Sequence, residues 1–373
     1  MRVANIVQLG IKELRGLSRD PMMLALIIFA FTFSIYSAST AMPEQLNKAP
    51  IAIVDEDRSP LSARIADAFF PPYFMPPSMI AQPEMDRRMD AGVDTFALDI
   101  PPDFQRDLLG GRRPTIQLNV DATRMNQAFT GAGYVQSIVA GEIDAFVRSY
   151  RRNTPAPVEL TLRTRFNPSL TISWFGSIIE VVNNVTMLSI ILTGAALIRE
   201  REHGTIDHLL VMPVTPLEIM AGKIWAMTLV VLVACALSLF FVVQGLLAVP
   251  IEGSIGLFLA GAAMHLFATT SMGVFLGTVA RSMPQFGLLL ILVLIPLEML
   301  SGGTTPRESM PEIIRYMMLA APTTHFITLA QATLFRSAGF ETVWPQFIYI
   351  AAIGTVLFGL ALARFRKAVG ETA

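Results

Sequence analysis

Long apolar blocks dominate the pattern of hydrophobic and polar positions along this chain. Six of them reach or approach the roughly 20 residues that a helix needs to cross about 30 Å of hydrocarbon. These blocks cover residues 22–42, 173–197, 224–249, 255–279, 284–300 and 345–363, and the fifth is the shortest. The pattern therefore predicts an α-helical polytopic membrane protein with six transmembrane helices.

Between the first two blocks, residues 43–170 change to short alternating strands followed by helices. Residues 50–57, 93–100, 115–122 and 158–166 alternate as strands, and residues 61–70 and 124–151 have helical patterns. Ser59 and Pro60 provide a cap and a first helical residue for the earlier helix. We expect an inserted α/β extracytoplasmic domain with a mixed sheet. Asp55, Glu56 and Asp57 are interpreted as a solvated strand end rather than as a metal site.

The distribution of charge orients this pattern in the membrane. Lys and Arg concentrate in the N-terminal segment, between the second and third blocks, at Arg281 and in the tail. By the positive-inside rule, both termini are cytoplasmic and residues 43–170 lie on the opposite side of the membrane. Residues 1–20 have apolar positions at helical spacing and predict a cytoplasmic interfacial amphipathic helix. About 20 polar residues precede the first block, which favours an uncleaved anchor over a signal peptide.

The composition excludes several kinds of site. The chain has 53% hydrophobic and 15% charged residues and one cysteine, Cys235, inside the third block. A single cysteine forms no disulfide within the chain, and no Cys/His cluster has metal-ligand spacing. His265 stands alone in the fourth block, so a ligand role for it is disfavoured. We expect no metal site, no catalytic residue and no nucleic-acid partner.

Four polar residues inside the blocks are candidates for a translocation path. Glu180, Asn183 and Asn184 share one helix face in the second block, and Glu298 lies near the end of the fifth. Carboxylates in a bilayer should face protein or water because their exposure to lipid is costly. Interhelical hydrogen bonding at a subunit interface is the alternative. We expect the fifth helix to break near Pro296 and Ser301, which would place Glu298 at its outer end.

Residues 302–343 are apolar but contain Pro322 between two stretches of about ten residues. Such stretches are too short to span a bilayer. They predict an outer-leaflet re-entrant segment of two short helices.

The cytoplasmic segment 199–222, termed the elbow, has two helical signals. Thr205 can cap a short helix whose Ile206, Leu209 and Leu210 form one apolar face, and Pro213 ends it. A second helix then begins with the capping-box pattern of Thr215, Pro216 and Glu218 and continues into the third block. We interpret the elbow as a stiff part that transmits displacement. The alternative is a well-capped turn.

The elbow also carries a family resemblance, because it contains Glu200, Arg201, Glu202, His203, Gly204 and Thr205, followed by Leu209, Leu210 and Pro213, and then residues 218–223. With these residues the chain resembles the type-2 ABC transporter permeases, in particular the bacterial inner-membrane exporter permeases that have a large periplasmic domain after the first span. The resemblance implies a bacterial inner membrane, with residues 43–170 in the periplasm. The resemblance implies that the elbow contains a coupling helix, which docks in a cleft of an ABC ATPase subunit. It also implies a second permease subunit, with the translocation path between the two.

These features together predict the permease subunit of an ATP-driven exporter, with a drug-like or amphiphilic substrate. The chain lacks a phosphate-binding loop, so we expect it to be no enzyme and to hold no cofactor, with ATP and Mg bound by the partner ATPase. Further expected partners are the lipid bilayer, a periplasmic adaptor protein, and a sister permease in a homodimer or heterodimer. The alternatives are an ion-coupled secondary transporter and a non-transporting membrane anchor that presents the α/β domain.

Overall fold

The structure is a computed structural model that describes residues 3–41, 46, 48–121, 125–150, 172–202, 214–305 and 307–370. It divides into two compact units. An α/β unit lies within Pro43–Arg163, and a membrane unit lies within Met1–Met42 and Thr164–Ala373.

The α/β unit contains a mixed sheet of four strands among its described residues. The strands are β1 (Ile51–Asp55), β2 (Ser78–Met79), β3 (Phe96–Ile100) and β4 (Gln117–Val120), in the spatial order β2-β1-β3-β4. β1 is parallel to β2 and β3, and β4 is antiparallel to β3. The helices are α1 (Pro60–Asp67), α2 (Gln82–Asp90), α3 (Phe104–Leu109) and α4 (Met125–Tyr150). The core contains the rings of Phe69, Phe74, Phe96 and Phe104.

The acidic end of β1 binds its own turn. Asp55 accepts hydrogen bonds from the backbone N–H of Arg58 and the hydroxyl of Ser62, both at 2.8 Å. Asp57 accepts one from the backbone N–H of Gln105 at 3.1 Å. Ser59 caps α1 in a reciprocal capping box with Ser62. The carboxylates of Asp55 and Asp57 therefore organise the turns after β1.

Two elements of this unit, β2 and α2, had no counterpart in the sequence pattern. The strand expected at residues 158–166 lies outside the described residues.

Six helices in the described part of the membrane unit are long and apolar enough to cross a membrane, as the apolar blocks predicted. They are span 1 (Pro21–Thr40), span 2 (Ser173–Glu202), span 3 (Pro216–Leu246), span 4 (Ile255–Val279), span 5 (Met283–Leu300) and span 6 (Phe340–Ala368). Span 2 is central, with 89% of its most apolar stretch buried against 11% for span 5. Span 3 begins earlier than residue 224 because the second elbow helix continues into it.

Two spans contain π-helical turns, in which the backbone hydrogen bonds widen locally. One lies at Ala30–Ser34 in span 1, between helical segments Pro21–Phe29 and Ile35–Ala41, and another at Leu239–Leu246 ends span 3. Span 5 continues through Pro296 to Leu300, so the expected break at Pro296 is wrong and the helix ends at Ser301. Glu298 still lies within two residues of that end.

Two short helices follow span 5, namely α5 (Glu312–Met317) and α6 (Pro322–Ala330), and a π-helical turn at Gln331–Phe335 extends α6. Their burial differs: Ile313 of α5 is 76% exposed, whereas Phe326 of α6 is fully buried. Pro322 is the first residue of α6. The proline thus separates two short helices, and span 6 begins at Phe340, earlier than the apolar block suggested.

Candidate functional site

The described residues show both ends of the elbow, where span 2 stops at Glu202 and span 3 starts at Pro216. His203, Gly204, Thr205, Ile206, Leu209, Leu210 and Pro213 lie outside the described residues, so the first elbow helix stays a prediction. The two described ends are each fixed by contacts within the chain.

A reciprocal capping box starts span 3. The Thr215 hydroxyl accepts from the backbone N–H of Glu218 at 3.3 Å, and the Glu218 carboxylate accepts from the N–H of Thr215 at 2.9 Å. Pro216 occupies the first turn, where its missing N–H costs nothing. Glu218 is only 3% exposed. The start of the helix is therefore fixed by its own side chains.

The two ends of the elbow are joined by an ion cluster, formed by Lys12, Glu13, Glu200 and Lys223. Lys223 of span 3 is 2% exposed, and its ammonium lies 2.7 Å from Glu200 of span 2 and 2.8 Å from Glu13 of the N-terminal helix Val3–Ser18. Lys12 adds a bond of 2.6 Å to Glu200. Buried charges need such partners because an unpaired charge out of water is strongly unfavourable. The cluster therefore ties three elements together at one end of the membrane unit.

The N-terminal helix also packs tightly on span 3. The Trp225 indole N–H donates to the Ile6 carbonyl at 3.0 Å. A Cβ on Gly10 would overlap the Trp225 ring, and one on Gly222 would lie 2.8 Å from the Cβ of Leu9. Glycines at both positions permit a close approach of the two helices, so the N-terminal helix is docked by shape as well as by charge.

The remaining charged residues at the end of span 2 contact other parts of this chain. Arg201 donates to the Ala280 carbonyl at 2.7 Å, and Glu202 accepts from the backbone N–H of Met283, the first residue of span 5, at 3.1 Å. Arg199 pairs with Asp20. These bonds anchor the end of span 2; contact with an ATPase by Glu200, Arg201 and Glu202 stays a prediction.

Asp20 begins span 1 as its N-cap. The backbone N–H of Met23, which donates to Asp20 at 3.1 Å, and the Arg199 guanidinium hold the pKa of Asp20 below its ordinary value. The negative charge at this helix start is therefore retained at neutral pH, where it favours the positive end of the helix dipole.

The four candidates for a translocation path are divided by their contacts. Glu180 accepts from the Ser34 hydroxyl at 2.8 Å, and Asn184 donates to the Ala30 carbonyl at 2.9 Å. Both bonds reach residues of the π-helical turn of span 1. A turn of this kind displaces backbone carbonyls from their usual partners. Glu180 and Asn184 therefore bond span 2 to span 1 within the chain, and neither a translocation path nor a subunit interface is tested by these contacts.

Asn183 and Glu298 differ from this pair. The Oδ1 atom of Asn183 is buried without a hydrogen-bond partner in the part of the chain that the structure describes. Glu298 is on span 5, close to the end of the helix. The transport role of all four residues stays a prediction.

Sequence reasoning missed a hydroxyl seam between spans 2 and 4, formed by Thr186, Ser189, His265 and Thr269. His265 Nε2 lies 2.9 Å from the Thr186 hydroxyl, and the Ser189 hydroxyl donates to Thr269 at 2.6 Å. All four residues are fully buried. The His265 ring also stacks on Phe326 of α6 at 4.3 Å between centroids. The seam thus links two spans and a short helix with neutral groups.

A signal for the seam was present in the sequence as small residues four apart. Gly273 and Gly277 lie on span 4, and a Cβ on Gly273 would be 2.7 Å from the Ile190 carbonyl of span 2. Small residues at this spacing permit membrane helices to approach closely. Similarly, the partners of Glu200 could have been sought among the charges nearest to each apolar block.

Among the described residues, no group of three or more His, Cys, Asp or Glu side chains is arranged to hold a metal ion.

Comparison with known proteins gives consistent results along the chain. A family model described as "ABC-2 family transporter protein" matches residues 22–363. The chain is 62% identical over 369 residues to "Inner membrane transport permease YhhJ" of Escherichia coli (strain K12), with 99% of each chain covered, and equally similar to the protein of that name in Shigella flexneri. It is 26% identical over 364 residues to "Probable multidrug ABC transporter permease YbhR" of Escherichia coli (strain K12), with 96% of this chain and 97% of the relative covered.

Proposed function

This chain belongs to the ABC-2 transporter family, and we propose that it is the permease subunit of an ATP-driven exporter. Family membership and its similarity to an inner-membrane transport permease make it a multi-pass transport permease of the inner membrane. The finer proposal is that a separate ABC ATPase subunit binds ATP and Mg and drives export by moving the elbow. A second permease subunit, identical or related, completes the transporter.

The observation that carries the coupling proposal is the bond between Glu200 and Lys223 across the elbow. Because these residues lie on span 2 and span 3, the elbow starts and ends on helices that are tied together. Lys12 and Glu13 attach the N-terminal helix to the same point. A push on the elbow therefore reaches three elements at once, instead of being absorbed by a loose connection.

The orientation and the substrate class are parts of the same proposal. Cytoplasmic termini place the elbow on the side where ATP is available, and residues 43–170 then lie in the periplasm, within reach of an adaptor protein. Relatives at 26% identity whose names describe probable multidrug permeases support a drug-like amphiphilic substrate. The α/β unit is proposed to bind a partner or the substrate.

Capture of the ATPase tests the coupling role of the elbow. The chain is co-expressed with an ABC ATPase subunit encoded in the same cell, and the amount of ATPase that co-purifies is measured. We expect Leu209→Asp with Leu210→Asp to abolish capture, because the two leucines form the predicted apolar face of the coupling helix. A matched control, Phe70→Asp with Val93→Asp, changes two exposed apolar residues of the α/β unit and should leave capture unchanged. Equal capture by both variants would overturn the coupling role.

Transport in vesicles distinguishes the exporter from a secondary transporter. An ATPase-driven exporter moves a fluorescent amphiphilic dye only with ATP, and a protonophore leaves that movement intact. Proton coupling through Glu180 or Glu298 predicts the reverse, with loss of transport in Glu180→Gln or Glu298→Gln while ATP is present. If Glu180 instead only holds span 1, Glu180→Gln keeps its bond to Ser34 and retains transport.

A further inference from the structure

A cavity of about 390 Å³ lies between the N-terminal helix, span 2 and span 3. Its volume is within the range of about 300–1,000 Å³ that is usual for small-molecule sites. Two cations, Lys12 and Arg199, and two carboxylates, Glu13 and Glu200, line it together with apolar side chains that include Leu192 and Ala196. The cavity is therefore polar in one part and apolar in another.

The two kinds of lining are separated along span 2. Leu192 and Arg199 are seven residues apart, which corresponds to about 10 Å of helix rise. Arg199 lies near the end of the helix, beside Asp20 at the start of span 1, so the charged part of the cavity is at the level where both spans leave the apolar layer. The cavity thus has a charged mouth and an apolar interior, as an amphiphile requires.

The charges at the mouth are unequally exposed. The side chains of Lys12 and Arg199 are 50% and 40% exposed, whereas those of Glu13 and Glu200 are 10% and 12% exposed. Lys223, only 2% exposed, contacts both carboxylates from within, while Lys12 also bonds to Glu200 and Arg199 pairs with Asp20. The charges are therefore paired, but the exposed part of the opening is mainly cationic, so a negatively charged head can contact Lys12 and Arg199 without approaching the buried carboxylates.

We propose that this cavity binds an anionic glycerophospholipid from the leaflet that borders the N-terminal helix. Its phosphate lies between Lys12 and Arg199, and the beginning of one acyl chain lies along Leu17, Leu192, Ala196 and Met227. Basic pockets between membrane helices recognise anionic headgroups in this way. The bound lipid fills the wedge between the N-terminal helix and spans 2 and 3, so it stabilises the arrangement that carries the elbow.

Lipid binding to the purified full-length chain tests the proposal. The delipidated protein in detergent is titrated with phosphatidylglycerol, phosphatidylcholine or inorganic phosphate, and native mass spectrometry and thermal unfolding report binding. We expect phosphatidylglycerol to be retained and to raise the Tm, and we expect neither effect from phosphatidylcholine or inorganic phosphate. A rise in Tm with inorganic phosphate equal to that with phosphatidylglycerol would make this a soluble-anion site and overturn the lipid assignment.

Two variants and one control locate the lipid. Ala196→Phe places a ring where the acyl chain lies, and the apparent affinity for phosphatidylglycerol should fall by about tenfold or more. Arg199→Gln removes one cation and should weaken binding by about fivefold. Ala263→Phe fills a different cavity, of about 270 Å³, lined by Ala263, Met264, Phe267, Ala351 and Thr355. That control should bind phosphatidylglycerol like the unchanged protein.

Unchanged affinity in Ala196→Phe, with normal helicity and a monodisperse elution profile, would overturn the proposal. If Ala196→Phe does not fold, the combined Lys12→Gln and Arg199→Gln variant decides, and unchanged affinity there has the same consequence. None of these measurements involves an ATPase or a transported substrate. Failure of the lipid proposal is therefore distinct from failure of the exporter proposal.

Discussion

Span 2 is held at its end by charge and along its middle by neutral groups. At the end, Glu200 belongs to the ion cluster with Lys12, Glu13 and Lys223. Farther inside, Thr186 and Ser189 belong to the hydroxyl seam with His265 and Thr269. A charge in the apolar layer costs several kcal/mol, whereas hydroxyl groups can bond within their own helix and across to a neighbour. Paired charges therefore fix the end of span 2, and neutral hydrogen bonds connect its middle to span 4.

The largest expected effect comes from removing the central cation of the ion cluster. Lys223→Met leaves the buried Glu13 and Glu200 with the half-exposed Lys12 as their remaining partner in the cluster, and loss of one member of a buried ion pair costs about 3–5 kcal/mol. We expect a large fall in the free energy of unfolding, measured by denaturant titration in detergent. Lys12→Met is the matched control. Its side chain is 50% exposed, so about 0–1 kcal/mol is expected.

A second variant tests whether the effect of Lys223→Met is electrostatic. Combining Lys223→Met with Glu13→Gln and Glu200→Gln removes the buried negative charges, and part of the stability should return. Little loss of stability in Lys223→Met, or no recovery in the combined variant, would show that the ion cluster does not hold the three elements together.

The next largest loss of stability is expected in the middle of span 2, where span 4 approaches closely. Gly273→Ala would place a Cβ 2.7 Å from the Ile190 carbonyl, so one backbone must shift. Overpacking of this kind costs about 1–3 kcal/mol. Gly287→Ala is the control, because a Cβ there meets nothing within 4 Å. Thermal unfolding should separate the two variants, and similar Tm values would mean that the spans can separate without cost.

Local patterns explain which parts of the fold were predictable. The six spans follow from the length of the apolar blocks, and the start of span 3 follows from Thr215, Pro216 and Glu218, which lie within four residues of each other. Both signals are read within one segment of chain. β2 escaped prediction because its two residues are too few to form a pattern, and its pairing with β1 is set by the tertiary fold.

The ion cluster and the seam were not predictable in the same way. Lys223 and Glu13 are 210 residues apart, and Lys12 and Glu200 are 188 apart. Many charges lie near the ends of the apolar blocks, and only packing selects which of them meet. The π-helical turn at Ala30–Ser34 likewise has no proline or glycine to mark it. Its bonds with Glu180 and Asn184 of span 2 join residues 146 and 154 positions apart in the sequence, so they are visible only in the folded chain.

A smaller loss of stability is expected when the capping box of span 3 is removed. Thr215→Ala removes the acceptor for the Glu218 N–H, and loss of such a cap costs about 1 kcal/mol. Ser254→Ala is a matched control, because Ser254 accepts from Leu257 N–H at the start of span 4 in the same way. Both variants should lose similar stability. If the elbow transmits force, only Thr215→Ala should also reduce the amount of dye transported per ATP hydrolysed. An equal amount of dye per ATP in Thr215→Ala and Ser254→Ala would contradict a special role for the start of span 3.

The smallest effect is the coupling across the hydroxyl seam. A double-mutant cycle with Ser189→Ala and Thr269→Val isolates the hydrogen bond of 2.6 Å, and bonds of this kind between membrane helices average about 0.6 kcal/mol. A control cycle with Ser189→Ala and Thr355→Ala should give a coupling energy near zero, since Thr355 bonds to Ala351 within span 6. A parallel cycle on Glu200 and Lys223 should give the larger value. If the coupling energy across the seam instead exceeded that between Glu200 and Lys223, the stronger connection of span 2 to its neighbours would lie in its middle. The connection at the elbow would then be the weaker one.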